Sequence, residues 1–494
     1  MPTASTIPLI LLVMVLWRYT KGNILAIVLF TSIFEAASAI NIGTLGVPTW
    51  LFALMMCGAV KLLRGFKPLS ITPGINRLSL HLMVCFIVYT VWTGMLHPFI
   101  FHGAPVMHDS APMPLAWSKF NFAQICYLLA AGVIYMLAVT STREELDLAV
   151  TWYVRGCITA SFFAVYQLAN GIAHIPYPDI VLYSNPSHVI YHAYQINGLW
   201  RLNSTFPEAS EMATFLTVGI GLMGWRLVTR PLRASALFYF TLMLGALLLT
   251  QSSLGYASLA FILAAGGALT VRYLFGQGGI SLAKLLLVVT LAGGTVGLFV
   301  TTNAGAMVNK VINSVLLEKK NSVSYRERTE THVAALETME KTFYMGAGWG
   351  SIRASGLTYM LLGTVGVPGF ILFTGFFLSL FAPLLQKGRA SERNDLFEQS
   401  LFALTIMILG LGVAGSEPVQ PILWALFGVA SAARPVPLRT SRRRAINNAI
   451  RTTRPQPQWQ RPTRMTRPST QPLLMRPVRP STIRPIKGDM AYDA

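Results

Sequence analysis

The chain has 494 residues, 53% of them hydrophobic and only 12% charged, with a formal net charge of +20. Soluble domains carry about 25% charged residues, so this composition excludes two or three water-soluble domains of ordinary type. A basic sum of this size points to nucleic acid only where it lies on one folded face, and its position along the chain decides against that.

From the N-terminus, Pro8–Trp17 is the first apolar stretch, either a short span or a segment that only partly enters the bilayer. No basic region followed by a small-residue cleavage site stands there, so no removable signal is expected. Segments long enough to cross about 30 Å of hydrocarbon, roughly 20 residues each, then recur. They are Ile24–Ile40, Leu45–Leu63, Leu78–Leu96, Phe120–Val139, Leu148–Gly171, Met212–Val228, Ala234–Leu249, Leu254–Val271 and Leu285–Val300. Leu357–Leu385, Leu401–Ala414 and Val419–Ala433 follow. The expected fold is all-α, a polytopic membrane helical bundle of about 12–13 spans over residues 1–433. Cys57, Cys85, Cys126 and Cys157 fall inside these spans without a CxxC and read as small apolar residues.

Lys and Arg mark cytoplasmic loops. Arg18/Lys21, Lys61/Arg64/Lys67/Arg77, Arg143, Arg226/Arg230/Arg233, Arg272/Lys284 and Lys387/Arg389/Arg393 alternate with connections poorer in them. The alternation predicts an exterior N-terminus, a cytoplasmic C-terminus and two long exterior loops, 173–211 and 301–354. Residues 434–494 hold 13 Arg and one Lys against Asp489 and Asp493, with ten Pro. Such a segment buries too little apolar surface to fold. It is expected to be a disordered cytoplasmic tail carrying +12 of the net charge, which leaves +8 for residues 1–433. Nucleic acid is therefore not an expected partner. The tail reads as a tether on anionic lipid headgroups, or as a dock for an acidic cytoplasmic partner.

Ionisable residues are scarce inside the spans, with Glu35 in one and His81 near the start of another. They crowd the exterior loops instead, which favours a site at the outer face working on something presented from the lipid. In the first loop, Arg201 precedes Pro207-Glu208-Ala-Ser-Glu211. Pro and acids suit the first turn of a helix, so Glu208 and Glu211 read either as helix-start residues or as bases. Arg201 is suited to a diphosphate, which a guanidinium binds bidentately. His188 and His192 are spaced to share a helix face, but no third ligand stands at metal spacing and no metal is expected. In the second loop, Ser324-Tyr-Arg326-Glu-Arg328-Thr-Glu330-Thr-His332 places Arg328 and His332 on one face of a helix. His332 is a candidate general base, against a plain solvated surface helix. Gly346-Ala-Gly-Trp-Gly-Ser351-Ile-Arg353 lacks the lysine of a phosphate-binding loop. Its glycines allow close approach to another helix or to a bulky lipid-linked ligand.

The order of these segments resembles the O-antigen polymerase/ligase superfamily, and within it the Wzy-type exopolysaccharide polymerases. The resemblance covers roughly residues 195–433. It is carried by Arg201-Leu-Asn-Ser-Thr-Phe-Pro-Glu-Ala-Ser, Leu249-Thr-Gln-Ser-Ser-Leu-Gly, Tyr325-Arg-Glu-Arg, the Gly346–Arg353 run and Leu362-Gly-Thr-Val-Gly-Val-Pro-Gly. It implies a GT-C-like bundle in the bacterial inner membrane, with a large exterior loop region capping a lipid-accessible cavity on the periplasmic side. The implied activity is metal-independent, cofactor-free transfer of sugar repeats from undecaprenyl diphosphate. Glu208, Glu211 and His332 are then the base candidates, Arg201, Arg326, Arg328 and Arg353 the diphosphate ligands, and a chain-length regulator or other polysaccharide-assembly proteins the partners the resemblance implies for the basic tail. Two departures stand out. Ser253-Leu254-Gly255 replaces a Ser-Arg-Gly frequent in the family, and Ser355 stands where ligases of the superfamily have a His. No DxD-like pair is present to hold a metal against a nucleotide sugar, since Asp109 and Asp179 are isolated. The alternatives are a polysaccharide ligase and a transporter or flippase of lipid-linked sugars.

Overall fold

The structure is a computed structural model that describes residues 1–65, 75–108, 111–196, 199–276, 323–385, 395–413 and 418–432. The expected span Leu285–Val300, the first part of the second exterior loop and the 434–494 tail lie outside these residues. Among the described residues, ten helices lie before position 277. They are α1 Thr6–Tyr19, α2 Ile24–Thr31, α3 Thr49–Leu63, α4 Arg77–Ile100, α5 Lys119–Thr140, α6 Arg143–Ala173, α7 Asp179–Leu182, α8 Ala209–Thr229, α9 Ala234–Leu249 and α10 Ser253–Gly276. After it come α11 Val323–Lys341, α12 Leu357–Ser379, α13 Ala382–Leu385, α14 Asp395–Val413 and α15 Pro421–Ala432. Three short antiparallel hairpins interrupt them: β1 Ser38–Ile42 with β2 Leu45–Pro48, β3 Pro105–His108 with β4 Ala111–Pro114, and β5 Tyr194–Ile196 with β6 Leu199–Arg201.

Among the described residues six helices are long and apolar enough to cross a membrane: α4, α5, α6, α8, α12 and α14. The protein is a helical, multi-pass membrane protein. Its helix starts are written locally. Ser118 with Asn121, and Thr142 with Glu145, form reciprocal capping boxes at α5 and α6. The centre of the bundle holds α2, buried along its whole length, and α15, buried from Pro421 to Ser431. Gly428 lets α15 lie against α5, where a Cβ would come 2.5 Å from that of Ala138.

The expected span Ile24–Ile40 is not one helix. Its helical part is α2, only 8 residues long, and Glu35 lies in the turn beyond it rather than inside a span. Backbone leaving a helix inside a bundle must find other partners. Here hydroxyls from distant segments provide them: Thr49 donates to the carbonyls of Thr31 (2.8 Å) and Phe34 (3.1 Å), and Thr205 donates to that of Ile33. Leu357–Leu385 is likewise interrupted, by a break inside α12 at Gly366 and by its end at Ser379.

Helix α8 spans 21 residues, about 31 Å at 1.5 Å per residue, and carries an ionic cluster at each end. At its C-terminal end Arg226 and Arg230 both reach Asp147 of α6 at 3.4 Å. At its N-terminal end stands Glu208, and the candidate site is built around it.

Candidate functional site

The turn that delivers Arg201 to Glu208 has a polar centre, Asn203 to Thr205, with no access to solvent. Leu202, Asn203, Ser204, Thr205 and Phe206 are all buried, which is tolerable only because their polar groups are paired. Gln167 of α6 accepts from the backbone N–H of Asn203 (3.2 Å) and Ser204 (2.8 Å), and its amide donates to Asn203 Oδ1 at 2.8 Å. Asn203 closes the turn by donating to the Phe206 carbonyl at 2.6 Å. Ser204 donates to the Ala160 carbonyl at 2.7 Å and in turn accepts from Tyr183 (2.6 Å) and Tyr177 (3.1 Å) at its own carbonyl. On its other side the turn is tied to the loop between α9 and α10. Leu202 N–H donates to the Leu249 carbonyl at 3.0 Å, and Gln251 donates to the Trp200 carbonyl at 3.2 Å. Two of the sequence segments that carry the resemblance thus sit side by side.

Glu208 is the N-cap residue of α8, yet its side chain does not cap the helix. It faces Arg201 instead, with Nη2 and Oε1 3.7 Å apart and both side chains partly exposed. Glu211 lies in the first turn of α8. Both acids thus stand at the helix start, and Glu208 in addition pairs with Arg201.

The α11 helix places Arg328 and His332 one turn apart, as their spacing predicts. The His332 ring stacks on Tyr359 at 3.9 Å between centroids and 12° between planes. Its Nε2 is buried and, among the described residues, has no hydrogen-bond partner. It stands 3.5 Å from where a Cβ on Gly356 would lie. Position 355, where the resemblance expects a ligase His, is thus next to an imidazole supplied by α11. Burial lowers the His332 pKa below its ordinary value, the Ser355 backbone pulls it back up, and the Arg328 charge lowers it further. The ring is neutral at pH 7 and able to accept a proton. Arg326 and Arg353 are exposed, and among the described residues neither Arg326 nor Arg328 forms an ion pair with Glu208.

The last turn of α14 stands between these two groups. A Cβ on Gly410 would lie 3.9 Å from Thr214 of α8, three residues beyond Glu211, and one on Gly356 would lie 3.1 Å from the Gly412 carbonyl. Gly410 also meets Leu254 at 3.9 Å. Leu254 thus faces the same junction.

The glycine-rich run serves the frame. Inside α12, Gly366 takes φ 66° and ψ −169°, and Pro368 has no N–H. The carbonyls of Gly363 and Thr364 therefore lose their helical donors. The run replaces them: Ala347 N–H donates to Gly363 and Gly348 N–H to Thr364, both at 2.8 Å, while the displaced Val367 N–H donates to Tyr344 at 2.9 Å. Trp349 is buried and donates to the Gln124 carbonyl at 3.1 Å, and Asn121 donates to the Trp349 carbonyl at 2.9 Å. Of the two readings of these glycines, helix approach is the one the structure supports.

His188 and His192 share no helix, since the chain is irregular there. Among the described residues no group of three His, Cys, Asp or Glu is placed to hold a metal ion. Gln167, Asn203, Tyr183 and Tyr359 were not expected from the sequence. A lone Gln in an apolar span and an Asn-Ser-Thr run before a helix are the local signals that mark the first two.

No protein-family model matches the chain, and no curated protein matches it in sequence.

Proposed function

We propose that the chain polymerises undecaprenyl-diphosphate-linked oligosaccharide repeats into an exopolysaccharide or O-antigen, at the outer face of a bacterial inner membrane. The fold in this reading is a GT-C-like bundle of about 12–13 spans, whose exterior loops cap a cavity open to lipid. The observation that carries it is the Arg201–Glu208 pair, held 3.7 Å apart on a buried, hydrogen-bonded turn at one end of a membrane-crossing helix. That end is the periplasmic one under the positive-inside rule, because Arg226 and Arg230 mark the other.

In the reaction, an acceptor sugar hydroxyl attacks the anomeric carbon of the donor. The carbon–oxygen bond to the diphosphate breaks, and the diphosphate leaves with the electron pair. Arg201 stabilises that charge, with Arg326, Arg328 and Arg353 as further cations of the exterior surface. The hydroxyl proton passes to a base, for which His332 is favoured by its lowered pKa and by an Nε2 with no hydrogen-bond partner among the described residues. Glu208 is the poorer candidate because its carboxylate already serves Arg201. Glu211 stays in the set as the acid of the same helix turn.

A second reading, a polysaccharide ligase, is favoured by one observation: the His332 imidazole occupies the surroundings of Ser355 and Gly356, where the resemblance expects a ligase His. One experiment separates the two. Removal of the gene leaves single lipid-linked repeats if the chain polymerises, and long chains on the lipid carrier if it ligates. Accumulation of neither defeats both readings.

A further inference from the structure

The chain holds a cavity that the reaction above does not use. It has a volume of about 410 Å³ and is lined by Gln167, Asn170, His174, Tyr177, Asp179, His192 and Trp200, with Gly171 and Ala193 at its wall. Sites for small ligands begin at about 300 Å³ and combine an apolar surface with a few directed polar groups.

The chemistry of this lining is specific. Trp200 lies across α6 at Gly171, so close that a Cβ there would come 2.7 Å from the indole. Behind it runs a continuous series of rings: Tyr166 to Tyr177 at 5.3 Å, Tyr177 to Tyr183 at 6.2 Å, and Tyr183 to His192 at 5.3 Å. Burial raises the phenol pKa of Tyr177 and Tyr183 above the ordinary value, so both remain protonated. The rim carries Asp179, His174 and His192, all exposed, and among the described residues no Lys or Arg lines the cavity. A phosphate would find no Lys or Arg among these described residues. A pyranose ring fits these surroundings, because its C–H face is apolar and its edge carries hydroxyls.

The cavity also adjoins the reacting end. Trp200 and Arg201 are consecutive on strand β6, and consecutive strand residues face opposite sides. Trp200 accordingly lines the cavity while Arg201 meets Glu208. We infer that this cavity is a saccharide subsite, which seats sugars of the repeat unit on Trp200 while the diphosphate is held on the other side of the strand by Arg201. The inference takes its ligand from the polymerase reading, but the test separates them.

The full chain in lipid nanodiscs is equilibrated with radiolabelled free oligosaccharide, released by mild acid from the lipid-linked repeat that accumulates without the gene. Binding should fall at least 10-fold in Trp200→Ala and severalfold in both Asp179→Asn and His192→Ala, and change less than twofold in Arg201→Ala. The two rim variants keep the test decisive if Trp200→Ala does not assemble. Wild-type binding that survives in the rim variants, or that Arg201→Ala abolishes equally, overturns the subsite. So does an absence of binding by the wild type. If no lipid-linked repeat accumulates, the polymerase reading fails by itself. The cavity is then challenged with maltohexaose and chitohexaose, where the same variant pattern supports a saccharide site and its absence overturns it.

Discussion

Arg201 Nη2 and Glu208 Oε1 lie 3.7 Å apart across a turn whose middle, Leu202 to Phe206, is buried. The arrangement is costly for folding and useful for chemistry. A partly exposed ion pair adds at most about 1 kcal/mol to stability, whereas burying five residues of a polar turn requires every group to be paired. The pair is therefore better explained as a positioned charge than as a strut. Arg201→Ala should lower polymer formation by about 100-fold or more, the effect of losing one charge-stabilising donor. Membrane abundance should stay near wild type. Glu208→Gln should retain more activity than Arg201→Ala, because it removes the orienting partner and leaves the cation. Polymer length on gels, with immunoblots of membranes, checks both.

Gly348 tests the frame. It sits at φ +98°, and a Cβ would come 2.7 Å from the Thr93 carbonyl oxygen. Left-handed strain of about 1–2 kcal/mol and overpacking of about 1–3 kcal/mol add to a loss of about 2–5 kcal/mol for Gly348→Ala. The same residue gives its N–H to Thr364, so a shift there also loosens the break in α12. Expected are a lower melting temperature in detergent and reduced membrane abundance. Unchanged stability would show that the run is not the support of the break.

Local periodicity made some elements legible and long-range pairing hid others. Ala234–Leu249 is read with its observed bounds because both ends carry their own breaks. Arg328 and His332 share a face because the helical period alone places them there. Glu35 was misplaced for a physical reason: the apolar composition continues past Thr31, while the helix stops. What permits the stop is hydroxyls from Thr49 and Thr205, and the second lies 172 positions from the carbonyl it serves. The same holds at the site. Arg201, Glu208 and His332 were visible as residue types, but the Gln167 that fixes the turn lies 36 positions from Asn203. No local pattern joins those two.

Gln167 accordingly acts on the Arg201–Glu208 pair through the turn, without touching either residue. Gln167→Leu leaves the N–H groups of Asn203 and Ser204 without their acceptor, at about 1–3 kcal/mol each and about 2–6 kcal/mol together. Gln167→Glu keeps the acceptor and loses the donation to Asn203 Oδ1. Leu should therefore be the worse variant in thermal unfolding, and activity should fall in the same order. Equal stability of the two would mean the turn is held by its tyrosines rather than by Gln167.

The pH dependence follows from the surroundings of His332. Burial and Arg328 both lower its pKa from the ordinary 6.5, with the Ser355 backbone opposing them. A base works in its neutral form, so the reaction rate should be flat near pH 7 and fall as the pH drops below 6.5 through the lowered value. Arg328→Gln removes one of the two lowering influences. The acid limb of kcat in a lipid-linked-repeat assay should then move to higher pH, even where the rate at the plateau is also reduced. His332→Gln keeps a polar side chain beside Tyr359 but cannot take the proton, and should lower the plateau by about 10²–10⁴-fold while removing that limb. A His332→Gln variant with the wild-type limb would place the titrating base at the start of α8 instead, at Glu208 or Glu211.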